Sequence, residues 1–472
     1  MERKPEQKCT KIVCTIGPAS HAPETMTAMI EAGMNVARVN LSHGDPDEHR
    51  ETIARLHEVA AGRPLAIMVD TRGAEIRIGR LKNKEVPLEA GGRVTLVEND
   101  LIGDGRRLPV NYRGLSQDVV PGDRILLDDG RIALVVTTVR DGKTECEVQN
   151  SGMLREHKGI NVPGVVLNTP SITEEDRRDL KLVAAMKVDY VAVSFVRRAK
   201  DLAEVRDALG EAEIDLIAKI ETRAALDDIE AILEACDGLM VARGDLGVEI
   251  EVEDLPLVQK RLIRMARQAA KPVITATQML SSMVTQPRPT RAEVTDVANA
   301  IFDGTSALML SEETAIGSYP VEAVRMMCRI ARRAEREHLE ALGDFERFPD
   351  LEESVAAAIG EAACQLASKL GAAAIITSTR SGSTARLASR FRPETPIIAA
   401  TPSDRVYRKL ALLWGVIPLR IPFSENTDEM IEDSLSAARD AELVRAGQRV
   451  VITAGIPFGV PGITNLIKVH EV

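Results

Sequence analysis

Short apolar runs that end in charge carry the chemistry of this chain. Asp215-Leu-Ile-Ala-Lys219-Ile-Glu221 is one, and Gly238-Leu-Met-Val-Ala-Arg243-Gly244-Asp245 is the next. Alternate side chains share a face along a strand, so Lys219 and Glu221 point the same way and Ile220 the other. An ammonium and a carboxylate therefore occupy one site. With Asp245 from the end of the following strand, two hard oxygen ligands and a fixed cation surround a pocket suited to Mg²⁺ and a phosphorylated substrate. Taken alone, Lys219 with Glu221 also fits a structural ion pair, since such networks occupy polar strand ends.

The elements that must position these groups follow βα grammar. Buried strands with charge at their ends match a parallel α/β barrel, which keeps its chemistry there. Residues 11–16 read as a strand closed by Gly17-Pro18, residues 24–32 as a helix ended by Gly33, and residues 35–40 as a second strand that puts Arg38 and Asn40 on one face. Ser42-His43-Gly44 is the loop after it, and a third strand ends at Asp70-Thr71. From about residue 72 the pattern changes to short strands, 94–97, 124–127, 132–136 and 145–148, separated by Gly-Asp and Asp-Gly turns. That is a small all-β insertion, rejoining the barrel near residue 170 and able to hang over its mouth as a lid.

Strands at 189–195, 215–221, 238–243, 272–277 and 307–311 then alternate with helices such as 173–186 and 255–270, which brings the count to an eight-stranded barrel. A charged helix, 329–340, leads out. The remainder is a second α/β unit with a helix at 353–370 and strands at 374–378, 396–400, 450–453 and 466–469. The expected fold is α/β: a (β/α)8 TIM barrel from residues 1–71 and 171–340, a β-barrel lid at 72–170, and a C-terminal α/β regulatory domain at 341–472.

Composition narrows the function. A chain of 472 residues, 44% hydrophobic, has room for about three domains, and a net charge of −11 argues against a general nucleic-acid or anionic-membrane binder. The six cysteines are scattered without a C-x-x-C pair, as expected of reduced thiols. No apolar leader or membrane-length run is seen, so the expected location is cytoplasmic.

Four stretches carry a resemblance to a known family: Thr10-Lys-Ile-Val-Cys-Thr-Ile-Gly-Pro-Ala-Ser20, Met34-Asn-Val-Ala-Arg-Val-Asn-Leu-Ser-His-Gly44, Met240-Val-Ala-Arg-Gly-Asp-Leu-Gly247 and Pro287-Arg-Pro-Thr-Arg-Ala-Glu293. They resemble successive signature blocks of the pyruvate kinase family, in the family's order. The resemblance implies phosphoryl transfer from phosphoenolpyruvate to ADP, giving pyruvate and ATP, with Mg²⁺ (or Mn²⁺) and K⁺ as cofactors and a homotetramer as the assembly. It further implies that Lys219 stabilises the transferring phosphoryl group and enolate, that Glu221 and Asp245 hold Mg²⁺, and that the Gly244 and Asp245 amides with Thr277 cradle the substrate carboxylate. Arg38 resembles the substrate-phosphate arginine. Arg77, His43 and, from the lid, Lys158 resemble nucleotide contacts, and Asn40, Ser42, Asp70 and Thr71 a monovalent-cation site.

The residue chemistry agrees with these roles. Phosphoryl transfer asks mainly that spread negative charge be neutralised and two oxygens held in line, which a lysine, arginines and Mg²⁺ do. Asn40 and Ser42 alone also fit turn capping. An aldolase- or lyase-type barrel would share the metal-enolate part but needs no ADP site, and a non-catalytic nucleotide sensor would not need Lys219.

The sequence departs from the family pattern at several points. It has Asp70-Thr-Arg72-Gly-Ala74-Glu75-Ile-Arg77 where relatives usually read Asp-Thr-Lys-Gly-Pro-Glu-Ile-Arg, and losing that proline loosens the lid hinge. Thr71 and Glu75 resemble the potassium-dependent members. Glu175 stands where many relatives have a nucleotide-facing lysine, Glu312 where glycine is common, and Ala224-Ala225 replace a polar residue and glycine. In the C-terminal unit, Ser378-Thr379-Arg380-Ser381-Gly382-Ser383-Thr384 is a hydroxyl-rich loop before a helix, a phosphate-binding geometry. It resembles the family's effector loop, for a sugar phosphate or nucleotide, with residues 459–465 as a second wall; a plain helix cap is the alternative.

Overall fold

The computed structural model describes residues 8–342, 354–424, 426–455 and 464–472. Eight parallel strands, Lys11–Thr15, Val36–Asn40, Ala66–Asp70, Tyr190–Val193, Asp215–Ile220, Gly238–Ala242, Val273–Ala276 and Ala307–Leu310, close into a barrel in which the first pairs with the last, Lys11 opposite Ala307. Their near-continuous apolar sequence follows from burial on both faces. One set of alternate residues, including Ile12, Cys14, Val39, Ile67 and Val191, packs outward against the helices. The other set fills the interior: Val13, Val36, Met68, Tyr190, Ala192, Ile217, Met240 and Ile274.

Helix ends are marked in the sequence. Pro23–Ala32 stops at Gly33, whose φ of 117° favours glycine. Pro46–Ala60 begins with an Asp45/Glu48 capping box, and Arg291–Phe302 with Thr290 and Glu293 in the same arrangement. The last of the four motif stretches is thus partly a helix start.

Between the third and fourth barrel strands the chain builds a six-stranded sheet, ordered Ile160–Asn161, Arg124–Leu127, Ile132–Arg140, Lys143–Val148, Arg93–Val97 and Arg107–Pro109. A separate antiparallel pair, Glu85–Leu88 with Gly152–Arg155, stands beside it. Val94, Leu96, Ile125, Leu134 and Cys146 belong to its own core. At the root of the insertion Gly73 has φ +71°, and a Cβ there would lie 2.7 Å from the Phe195 ring. The departure at Arg72 is paired, 3.1 Å from Asp179, and the Gly73 amide donates to Asp176 at 3.2 Å. The outgoing limb of the insertion is thereby tied to helix Glu174–Ala184, which follows the returning limb.

The C-terminal unit is a five-stranded sheet ordered Val416–Arg420, Ile397–Thr401, Ala374–Ser378, Arg449–Ala454 and Leu466–Glu471, the last antiparallel. It docks under the barrel. Ala411 and Leu412, in the turn after helix Asp404–Lys409, join the barrel's interior cluster. Around that plug Arg408 meets fully buried Asp189 at 3.0 Å, Lys409 meets Asp215 at 2.7 Å, and the Tyr190 hydroxyl donates to the Lys409 carbonyl at 2.7 Å. Burial lifts the Asp189 pKa even against the Arg408 charge. Arg408→Met is therefore expected to cost about 3–5 kcal/mol, the usual penalty for stranding a buried charge. Urea denaturation at pH 7 checks this; a loss below about 1 kcal/mol, the scale of a surface pair, argues against it.

All six cysteines are free and buried. Among the described residues, no helix is long and apolar enough to cross a membrane.

Candidate active site

The alternation that fills the barrel also delivers its chemistry. Val36 points inward, so Arg38 and Asn40 follow it on the same face. The same step of two leads from Met68 to Asp70, from Ala192 to Ser194, and from Ile217 to Lys219 and Glu221. These groups converge at the C-terminal ends of the strands, the end where parallel barrels hold their sites.

Asp70 is the hub. It is 1% exposed, and its carboxylate receives Arg38 Nε at 2.6 Å, Lys219 Nζ at 3.1 Å and the Ser194 hydroxyl at 3.1 Å. Lys219 also reaches Glu221 at 2.9 Å and Ser194 Oγ at 2.7 Å. Burial by itself would raise Asp70, but the charges of Arg38 and Lys219 outweigh it and hold the carboxyl below its usual range. Burial likewise works against the Lys219 ammonium, yet Asp70 and Glu221 more than offset it and the pKa rises above the ordinary lysine value. Lys219 is thus a permanent cation with its three hydrogens directed.

Glu221 is held from its other oxygen as well, by the amide of Phe195 at 2.6 Å. Phe195 has φ 53°, a costly conformation for a bulky residue. Asp245 was expected at a strand end; it sits instead in the first turn of the short helix Arg243–Glu249, because the strand stops at Ala242. Burial first, then repulsion from Glu221, pushes the Asp245 carboxyl up to about 7.

Thr277 and Gln278, at φ 67° and 54°, form a strained corner after the seventh strand. Arg243 supports it, donating to the carbonyls of Thr277 at 2.8 Å and Ala276 at 3.3 Å while anchored on Asp296 at 2.8 Å. The Gly244 amide donates to Thr277 Oγ1 at 2.8 Å, which joins two of the expected carboxylate-cradle residues.

A cleft of about 170 Å³ lies between the insertion and the barrel, lined among others by Glu75, Asp129, Phe195, Glu221 and Asp245. Among the described residues no three His, Cys, Asp or Glu side chains form a metal cluster. A pair of carboxylates on a cleft, one of them kept from ionising easily by burial and then by the other's charge, would be relieved by a divalent cation and fits Mg²⁺, which takes one or two carboxylates and fills its shell with water and phosphate oxygens. The residues expected to hold a monovalent cation lie near one another: Asn40 is the register partner of Asp70, and Asn40 Oδ1 accepts the Ser42 amide at 3.1 Å. Arg38 and Lys219 take two of the roughly four acceptor positions of the Asp70 carboxylate, and a third lies within reach of the Ser194 hydroxyl, whose proton also faces the Thr71 carbonyl.

The expected nucleotide contacts are more dispersed. Arg77 pairs with Glu75 at 2.6 Å and donates to the His157 carbonyl at 2.9 Å; Lys158 pairs with Asp128 at 2.8 Å. His43 is exposed, as are Glu175 and Glu312, and none of the three nucleotide-side residues lines the cleft. In the C-terminal loop, Thr379 Oγ1 accepts the Gly382 amide at 2.9 Å, Ser378 meets Ser434 at 3.1 Å, Ser381 bonds Ser383 at 3.0 Å, and the Thr384 hydroxyl lies 2.8 Å from that of Thr464. Arg380 lies 5.6 Å from the centre of the Phe423 ring. Residues 459–463 of the expected second wall lie outside the described residues.

Sequence reasoning missed Ser194, the Phe195 amide and Arg243. Ser194 carried one usable signal, its place at the end of an apolar strand two residues beyond Ala192.

Comparison with known proteins agrees with this geometry. Residues 7–324 match the family description "Pyruvate kinase, barrel domain" and residues 357–470 match "Pyruvate kinase, alpha/beta domain". The chain is similar to proteins named pyruvate kinase from Geobacillus stearothermophilus (48% identity, covering 98% of this chain and 80% of that relative) and Bacillus licheniformis (49%, with the same coverage). A third, from Clostridium acetobutylicum, is 45% identical over 98% of this chain and 99% of the relative. Inward-facing acid and base at the barrel mouth, two matching family descriptions and near-full-length identity close to one half lead to one assignment: the chain is an enzyme of the pyruvate kinase family.

Proposed function

We propose that the chain transfers the phosphoryl group of phosphoenolpyruvate to ADP, giving pyruvate and ATP. The observation that carries this reading is Lys219, fixed within 3.1 Å of Asp70, Glu221 and Ser194 beside Asp245 and the cleft. Arg38 and Lys219 face the substrate phosphate, and the Gly244 and Asp245 amides with Thr277 face its carboxylate. As the phosphoryl group moves, charge develops on its equatorial oxygens and on the enolate, and a fixed ammonium stabilises both without reorganising. Anchored by Asp70, Glu221 and Ser194, the Lys219 ammonium is placed for charge stabilisation. Glu221 and Asp245 would hold Mg²⁺ or Mn²⁺, which supplies a Lewis acid for the phosphoryl oxygens. Arg77, His43 and Lys158 belong to the nucleotide side, and the lid at 72–170 excludes water from the transfer.

A coupled assay of pyruvate release tests the reaction: release should require both ADP and Mg²⁺, and none from the wild type removes the reading. Asn40, Ser42, Asp70 and Thr71 form the K⁺ site, so the rate should fall at least about tenfold, a loss of some 1.4 kcal/mol of transition-state stabilisation, when K⁺ is replaced by tetramethylammonium at constant ionic strength. Equal rates in the two salts refute potassium activation. The loop 378–384 with the C-terminal unit, 341–472, is the regulatory part, for a sugar phosphate or nucleotide. The enzyme works in the cytoplasm as a homotetramer.

A further inference from the structure

We propose that Ser194 is a positioning residue for Lys219 and the link through which a monovalent cation at Asp70 and Thr71 acts on it. This rests on the reaction and cation site proposed above and adds a residue to neither of their ligand sets.

Ser194 directly follows the fourth barrel strand and is 3% exposed. Its amide donates to Thr71 Oγ1 at 3.0 Å. Its hydroxyl oxygen is 2.7 Å from Lys219 Nζ, 2.7 Å from the Thr71 carbonyl and 3.1 Å from Asp70 Oδ1. An ammonium only donates, so Ser194 accepts from Lys219. Its single proton then faces two acceptors and serves one at a time. Both belong to residues of the cation site, and both oxygens of Thr71 are in contact with Ser194.

Consider a cation seated among Asn40, Ser42, Asp70 and Thr71. It draws on lone pairs of Asp70 and Thr71 and so changes which of them takes the Ser194 proton. Hydrogen bonds in series polarise one another, and the bond that Lys219 donates to Ser194 responds. Of the three described partners of Lys219, Asp70 and Glu221 are charged anchors; Ser194 is neutral and able to reorient. An alanine there leaves both ion pairs in place, and removes the direction of the third N–H together with the hydroxyl proton that Thr71 and Asp70 share.

The experiment compares wild type, Ser194→Ala and Ser194→Cys in KCl and in tetramethylammonium chloride at equal ionic strength. Steady-state rates with phosphoenolpyruvate and ADP are one readout, and thermal denaturation without substrates is a second that needs no turnover. Wild type should be faster and melt higher in KCl. In both variants kcat should drop about 10- to 100-fold, the worth of a hydrogen bond to a charged group, with KM for phosphoenolpyruvate within about threefold. The rate ratio between the salts should collapse to within about twofold of unity, as expected when a coupling free energy is removed. The melting increment from KCl should persist, because the ligands remain. The thiol variant, a weak acceptor of similar size, carries the test if the alanine variant does not fold.

Variants that keep kcat within about threefold and keep the KCl rate ratio overturn the proposal, since less than about 0.7 kcal/mol then passes through Ser194. So does loss of the melting increment together with the rate, which would make Ser194 a support of the cation site rather than its link. An active wild type indifferent to KCl overturns the link alone; an inactive wild type overturns the reaction beneath it.

Discussion

Lys219→Met is expected to lower kcat for pyruvate formation by at least about 10³-fold while the protein remains folded. Removing a single preorganised donor from a charge-stabilising site costs about 10²–10³, and here the lost group is a full charge. Methionine keeps the length and the apolar stem, so the barrel interior loses little packing. The electrostatic loss is uneven. Asp70 retains Arg38 at 2.6 Å, whereas among the described residues Glu221 keeps a neutral donor, the Phe195 amide. Stability should therefore fall by up to about 3–5 kcal/mol, and Mg²⁺ should restore part of it by giving Glu221 a counter-charge again. Circular dichroism with a coupled assay separates the two effects. A folded variant that retains more than about a tenth of wild-type kcat takes the central role from Lys219, because the ammonium would then be worth under about 1.4 kcal/mol in the transition state.

How the chain's sequence relates to this site depends on the kind of signal each residue gives. Strand alternation made Lys219, Glu221, Arg38 and Asn40 legible, since a charge at the end of an apolar run has few uses in a buried sheet. The same rule applied to Tyr190, Ala192 and Ser194, but an uncharged hydroxyl there reads as an ordinary strand end. Phe195 acts through a backbone N–H, which no side-chain pattern encodes. The charge of Asp245 marks it in the sequence but its setting does not show there, because the chain turns helical at Arg243 instead of extending the strand. The plug at Ala411 and Leu412 was invisible for another reason. Lys409-Leu-Ala-Leu-Leu-Trp414 looks like core of its own domain, and only the docking of the two units shows that part of it completes the barrel. In the insertion, Ile160–Asn161 and Arg107–Pro109 are too short, and the latter too proline-limited, to announce themselves as strands.

Asp245→Asn should make the metal-free enzyme more stable and the enzyme inactive. The Asp245 carboxyl titrates at about 7 in the folded protein, against an ordinary value of 3.8. Between those values the folded state binds a proton that the unfolded state has lost. The slope of stability with pH is then negative, and wild-type stability falls as pH rises from about 4 through 7. Asparagine carries no such burden, so at pH 8 the metal-free variant should exceed wild type by on the order of 4 kcal/mol. Mg²⁺ reverses the ranking, because it needs the ionised carboxylate. Wild type gains stability from the metal, with an affinity that weakens roughly tenfold for each pH unit below 7, while the variant gains far less. kcat should fall at least about 10²-fold in the variant, as for loss of a group that holds a charge-stabilising ion. Thermal melts at pH 6 and pH 8, with and without Mg²⁺, read the whole cycle. Equal metal increments in the two proteins, or a metal-free variant less stable than wild type at pH 8, would show that Asp245 is an ordinary buried acid and that Glu221 binds the metal without it.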